Sequence, residues 1–330
     1  MAGADAAPVQ WSFVAEGAVA LMSEYGEPRQ HELVLDVEVP EYGPSRLPVC
    51  YFEWGDAGAP VLLLVHATGF HARCWDQVVA ALPPGYRVIA VDQRGHGRTG
   101  NVEPITWPAF GADLAAFADA LDLAQVTGAG HSMGGHCLVQ LAMARPALFE
   151  RMLLLDPVIM APELYGRSRM NQFQTPEEHP VARRRGRFRD WQEMRDGLRG
   201  KGSFDLWDPK VLDDYCRYGV VPASDGNGVV LACPGVIEAA VYLGSTSADF
   251  HARLGEVRCP VTVLRAPPRD PEDTTMDFAK SPTWPELAAA FPNGHDRLLP
   301  ELTHFIPMQA PALVAAQIGP PPGSGTATDR

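Results

Sequence analysis

Little in this chain of 330 residues points to a membrane, to nucleic acid or to an oxidising compartment. No stretch holds the roughly 18 uninterrupted apolar residues that a membrane-spanning helix needs. Basic residues are in the minority. Against 40 Asp and Glu stand 27 Lys and Arg, a formal net charge of -13, which is the wrong sign for a general binder of nucleic acid or anionic lipid. The six cysteines (Cys50, Cys74, Cys137, Cys216, Cys233, Cys259) are scattered without CxxC pairs or zinc-like spacing. Reduced, buried thiols are expected rather than a disulfide framework. The first residues, Met1-Ala-Gly-Ala-Asp-Ala-Ala-Pro8, have neither the basic start nor the apolar centre of a secretory signal, so the expected location is the cytoplasm. The sequence has no HExxH, no clustered His/Asp ligand set and no dinucleotide fingerprint. No cofactor and no metal is expected.

What the chain does have is apolar residues, 46 % of the total, and enough length for one large domain with an insertion. Strand and helix signals alternate along most of it. His31–Pro40 and Leu47–Trp54 read as an antiparallel strand pair. Val61–His66, Tyr86–Asp92, Ala124–Ala129, Arg151–Asp156, Pro260–Ala266 and Asp296–Pro300 read as further strands. Between them, Cys74–Leu82, Pro108–Leu121, Gly135–Ala144, a segment around Trp284–Phe291, and Ala310–Ile318 read as helices. Continuous apolar runs separated by helices mean strands buried on both faces of a mostly parallel sheet.

The pattern lapses between residues 158 and 257. That stretch reads as an inserted, largely helical cap on a core of residues 1–157 and 258–318. It carries a run of arginines between Arg183 and Arg189 and the aromatics Trp191, Phe204, Trp207, Tyr215, Tyr218 and Tyr242. The arginines admit an anion site, but a solvated helix face paired with nearby Asp and Glu is the expected reading. The aromatics either line a pocket or pack the cap's own core. Residues 319–330, rich in Gly and Pro, are expected to form a disordered tail.

One pentapeptide carries chemistry. Gly130-His131-Ser132-Met133-Gly134 is a G-x-S-x-G motif with a strand before it and a helix after it, the context of a nucleophile elbow. Glycines at the flanking positions let neighbouring backbone approach, and a strained serine conformation projects Oγ at the helix N-terminus, where the dipole favours negative charge. Three further motifs follow the same logic. His66-Ala67-Thr68-Gly69-Phe70 follows one strand, Asp92-Gln93-Arg94-Gly95-His96-Gly97 follows the next, and Leu302-Thr303-His304-Phe305 stands near the end.

In this order and on these elements, the four motifs make residues 30–318, the cap excepted, resemble the α/β-hydrolase family. The resemblance implies an α/β fold with a mostly parallel eight-stranded central sheet, helices on both faces and a helical cap. It implies Ser132 as nucleophile, His304 as general base, and the backbone N–H groups of Thr68 and Met133 as the oxyanion hole. His66, His96 and His131 are read as loop-structuring. Ala67 departs from the family's usual glycine and is strained only if its φ is positive. The acid has two candidates. Asp156, closing an apolar strand, is preferred, and Asp270, in the Pro-rich turn after the later strand, is the alternative.

The implied activity is a serine hydrolase cleaving a carboxylic ester, lactone or thioester through an acyl-enzyme. Its partner is a small-molecule substrate, apolar or aromatic if the cap aromatics face it. Other chemistries use the same triad: carbon–carbon bond hydrolysis, amide cleavage, and biosynthetic acyl transfer or cyclisation. A hydrolase-like small-molecule sensor with a moving cap is the reading from a different class. Protein interaction through the arginine run and tail is a third.

Overall fold

The computed structural model describes residues 24–165, 173–269 and 279–323. Eight strands form one sheet: β1 (Arg29–Val39), β2 (Gly43–Trp54), β3 (Val61–Val65), β4 (Arg87–Val91), β5 (Val126–His131), β6 (Phe149–Leu155), β10 (Val261–Arg265) and β11 (Gly294–Leu298). Their order across the sheet is β1-β2-β4-β3-β5-β6-β10-β11. The β1–β2 and β2–β4 pairs are antiparallel and all the others parallel.

The alternating side-chain directions of each strand feed two cores. On one face Leu63, Val65, Ile89 and Val91 pack against α2 (Trp107–Ala120) and α3 (Met133–Ala144), through Phe110, Leu114, Phe117, Leu138 and Leu141. On the other, Leu62, Leu64, Val88 and Ala90 pack against α1 (Asp76–Ala80) and α9 (Pro311–Ile318), through Val78, Val79, Val314 and Ile318. Leu62, Leu63 and Leu64 are fully buried. Each such side chain contributes roughly 1.5–3 kcal/mol by leaving water. The sheet is thus the rigid platform from whose strand ends the functional loops project.

Between β6 and β10 the chain leaves the sheet. Here α4 (Trp191–Leu198), α5 (Pro209–Tyr218) and α6 (Gly235–Leu243) accompany a small antiparallel sheet of β7 (Arg187–Phe188), β8 (Val220–Pro222) and β9 (Val229–Leu231) in the order β7-β9-β8. The sequence suggested helices for this insert and not strands. Runs of two and three residues are too short for an alternating pattern to register. The α5 helix starts with Pro209 behind Asp208, whose carboxylate accepts from the Lys210 N–H at 2.8 Å. The Asp208 N–H in turn donates to Met308 O in α8 (Ile306–Gln309), tying the insert to the loop that carries His304.

Several elements differ in extent from their expectation. The segment expected as a helix over Cys74–Leu82 is a 3-10 turn, Ala72–Trp75, followed by the five-residue α1. The helix around Trp284–Phe291 shrinks to α7 (Leu287–Ala290), between Pro285 and Pro292. The last strand begins at Gly294, and its exposed edge position explains its weak apolar pattern. Residues 319–323, expected in the tail, are held to the body. Pro320 O accepts from Tyr86 Oη at 2.9 Å and from Arg151, whose guanidinium also reaches Ile318 O. Residues 324–330 lie outside the described residues.

Candidate active site

Ser132 sits between β5 and α3 with φ 56° and ψ -119°. It is one of five non-glycine residues with positive φ among the described residues, and Asp156 (φ 46°) is another. Strain of this kind costs of order 1–3 kcal/mol and persists only where surroundings impose it. The glycines explain how. A Cβ on Gly134 would lie 2.1 Å from Val65 O, and one on Gly130 would lie 2.6 Å from Gly134 O. The elbow is therefore wedged against β3 with no room for side chains.

Ser132 Oγ lies 3.0 Å from His304 Nε2, and His304 Nδ1 lies 2.6 Å from Asp156 Oδ2. The arrangement fits an Nδ1–H donated to the carboxylate and an Nε2 lone pair free to receive the serine proton. Asp156 is fully buried, and two donors hold its second oxygen. Oδ1 accepts from the Ala266 N–H at 3.0 Å and from Ser281 Oγ at 2.6 Å, with Thr283 Oγ1 at 3.3 Å. Thr283 has one hydroxyl hydrogen, and Pro157 O at 2.8 Å is its nearer acceptor. Ala266 stands at the end of β10, so the strand next to Asp156 supplies a backbone donor to it. Asp270 lies outside the described residues.

Ser281 and Thr283 were not legible as site residues. They fall in a loop without periodicity, and only tertiary packing brings them to a carboxylate more than 120 positions away.

The expected oxyanion donors flank the elbow. Met133 opens α3, and Thr68 lies in the loop after β3, its hydroxyl 3.5 Å from Met133 Sδ. Among the described residues neither backbone N–H has a protein acceptor. Ala67 is not among the positive-φ residues, so the departure from glycine carries no backbone strain.

The other histidines hold loops. The His131 Nε2–H donates to His304 O at 2.8 Å, while the His304 N–H donates to Ala279 O at 2.8 Å. His304 is thus anchored through both its backbone N–H and its carbonyl. His131 Nδ1 is buried without a partner, and burial holds the ring's pKa well below its ordinary value. The centroid of this neutral ring lies 5.1 Å from that of His304. His66 accepts from the Gln93 N–H at 2.9 Å, and His96 Nε2 accepts from the Gly69 N–H at 3.0 Å. Burial depresses both, His96 to about 4. The turn Gly95-His-Gly-Arg-Thr-Gly100 has the glycine spacing of a dinucleotide loop, yet it closes on itself through Gly95 N–H to Gly100 O and opens no helix.

Aromatic side chains roof the site. Phe70 lies 6.1 Å from His131 and 5.2 Å from Tyr215. Phe305 lies 5.6 Å from His304 and 5.4 Å from Trp207. Ser132 and His304 keep only 5 % and 9 % of their surface exposed. The arginine run splits. Arg185, Arg187 and Arg189 form exposed pairs with Glu193, Asp225 and Asp190, as expected of a solvated face, while Arg184 turns inward to Glu238. Among the described residues no group of three or more His, Cys, Asp or Glu side chains is placed to hold a metal ion, and no helix is long and apolar enough to cross a membrane.

Comparison with known proteins bears on the fold and family. Residues 62–317 match the model of a family described as "Alpha/beta hydrolase family". The chain is 33 % identical over 127 residues to "Lipase LipV" of Mycobacterium tuberculosis, covering 38 % of this chain and 44 % of that one. It is 36 % identical over 115 residues to "(E)-2-((N-methylformamido)methylene)succinate hydrolase" of Acinetobacter baylyi, covering 33 % and 41 %. It therefore spans about two fifths of the length of these curated relatives. A thermophilic esterase from Thermogutta terrifontis superposes with a TM-score of 0.62 at 22 % identity, over 87 % of this chain and 96 % of the other.

Proposed function

Because the chain belongs to the alpha/beta hydrolase family, we propose that it is a serine hydrolase cleaving a carboxylic ester, lactone or thioester through an acyl-enzyme on Ser132. The observation that carries the reading is the relay of Ser132 Oγ to His304 Nε2 at 3.0 Å and His304 Nδ1 to Asp156 Oδ2 at 2.6 Å, on a strained elbow. A serine hydroxyl at its free pKa is a poor nucleophile and needs such a base. His304 takes the proton as Oγ attacks the acyl carbon. Asp156 stabilises the resulting imidazolium. The developing oxyanion is received by the N–H groups of Met133 and Thr68, each worth about 2.7–4 kcal/mol in comparable sites. His304 then protonates the leaving group, and water, activated by the same ring, releases the acid.

On this reading residues 158–257 act as the cap, over a core of residues 1–157 and 258–318. Phe70, Trp207 and Phe305 favour a substrate with an apolar or aromatic portion. A fluorophosphonate probe followed by peptide mass mapping tests the proposal. Stoichiometric labelling at Ser132, lost in Ser132→Ala, is expected. Normal ester turnover by Ser132→Ala refutes it.

The second reading, a hydrolase-like sensor, is favoured by the covered state of Ser132 and His304. Entry of any ligand then requires the insert to move. Multiple turnover on a small ester decides for the enzyme. One stoichiometric acylation accompanied by a change in hydrogen exchange across residues 158–257 decides for the sensor.

A further inference from the structure

Arg184 is the one arginine among Arg184, Arg185, Arg187 and Arg189 whose ion pair is turned away from solvent. Its side chain is 27 % exposed and that of its partner Glu238 only 9 %, against 51 % or more for the other three arginines. Nη2 lies 2.8 Å from Glu238 Oε2, while Tyr215 Oη and Cys233 O are distant acceptors at 3.4 Å. Nε is buried and has no partner. Nε–H and one Nη2–H lie parallel on the same edge of a guanidinium, the fork that takes a carboxylate with two bonds. Glu238 Oε2 stands beside this edge as an ion-pair partner but takes no hydrogen bond from it, and is itself buried without a hydrogen-bond donor.

A buried ion pair is expensive, and one kept purely for structure is expected to satisfy its donors. This pair leaves a donor, Arg184 Nε–H, and an acceptor, Glu238 Oε2, open at the boundary between insert and core. Glu238 presses on the oxyanion loop, where a Cβ on Gly69 would lie 2.5 Å from Oε1. Tyr215, beside Arg184, belongs to the aromatic roof through Phe70. The pair therefore stands between Thr68 on one side and the roof on the other.

We propose that Arg184 and Glu238 form the polar end of the substrate pocket, and that they select substrates bearing an uncharged oxo or amide oxygen, accepted by Arg184 Nε–H, beyond the scissile bond. The proposal rests on the serine-hydrolase reading and names its substrate class. A charged group is the poorer fit. Glu238 already neutralises the guanidinium, and a second carboxylate there places two anions on one cation away from water. Burial raises the Glu238 carboxyl above its ordinary value against the pull of Arg184, a sign of how poorly the spot is solvated.

The test uses matched esters of the full chain's substrate class: phenyl hexanoate, phenyl 5-oxohexanoate and monophenyl glutarate, with acetates carrying the same three groups on the alcohol side. The wild type is expected to favour the oxo ester over the alkyl ester by about tenfold in kcat/KM in one series, the ratio given by about 1.4 kcal/mol. In Arg184→Met with Glu238→Leu that ratio falls to about one. Reading a ratio removes any general loss of activity caused by the variant. Glu238→Gln leaves the guanidinium uncompensated, so the glutarate ester is expected to gain on the oxo ester. Calorimetry with Ser132→Ala measures the same preference as binding, independent of turnover. Equal rates on alkyl and oxo esters, a wild-type preference for the carboxylate, or an unchanged ratio in the double variant overturns the inference. Failure of Ser132 to label or to turn over any ester overturns the underlying reading instead, and the calorimetric preference still decides the inference.

Discussion

Replacing Asp156 with Asn probes the site at the point where its geometry is most constrained. The two carboxylate oxygens have different surroundings. Oδ1 faces donors only, the Ala266 N–H and the Ser281 hydroxyl, while Oδ2 faces His304 Nδ1. An Asn amide has one oxygen and one NH2. Turning the NH2 toward Oδ1's partners sets donor against donor in a fully buried spot, so the oxygen stays there and the NH2 meets His304. Nδ1 must then be the acceptor, and the proton moves to Nε2, which faces Ser132 Oγ. The base is left without a lone pair for the serine proton, and the imidazolium has lost its counter-charge. The same tautomer error in another serine triad lowers kcat about 10,000-fold, equivalent to about 5.4 kcal/mol. We expect a loss of that order in both fluorophosphonate labelling rate and ester kcat, with KM and melting temperature close to wild type, because Oδ1's contacts survive. Asp270→Asn is expected to have little effect. A loss below about tenfold for Asp156→Asn, or the opposite ranking of the two variants, refutes the reasoning.

Ser281→Ala removes the shortest donor to Asp156 and is expected to lower kcat by about 1.5–3 kcal/mol without raising KM, whereas Thr283→Val, whose hydroxyl serves Pro157 O, is expected to cost melting temperature more than kcat; equal kinetic effects contradict this. His131→Ala frees His304 O and is expected to lower kcat about 5- to 20-fold, about 1–2 kcal/mol, with Gln restoring much of it through its amide donor; an unchanged kcat in His131→Ala removes the anchoring role. Asp214, on α5, accepts from Gln77 of α1 at 2.6 Å, and burial raises its pKa to about 7. The folded state therefore binds this proton more tightly than the unfolded chain, so its ionisation penalty is present above pH 7 and is relieved as pH falls through that value toward the ordinary carboxylate range. Asp214→Asn is expected to raise the melting temperature more at pH 8 than at pH 5, and the reverse order in a thermal melt series contradicts the assignment.

Much of the frame was legible in the sequence because buried parallel strands announce themselves. Val61–Val65 and Arg87–Val91 are nearly uninterrupted apolar runs, and both sheet faces are covered as such runs require. Ser132 was legible because steric demands restrict the elbow to glycines at fixed positions. The carboxylate facing His304 was legible only as a preference for Asp156 over Asp270. In sequence, Asp156 closes one apolar strand and Asp270 stands in the Pro-rich turn after another, and what marks Asp156 in the structure is a positive φ and donors contributed by Ala266 and Ser281, contacts that no local pattern encodes. The insert was least legible, since two- and three-residue strands have no periodicity and Arg184 looks like its neighbours until its direction is seen.

Asp156 stands at the end of β6, and the chain after β10 contributes to it one backbone N–H and one hydroxyl. A backbone donor is indifferent to side-chain identity. On the proposed reading, no acid is then required of residues 267–269. In a saturation library positions 267 and 268 should tolerate most replacements, while position 156 accepts almost none and Ser281 few.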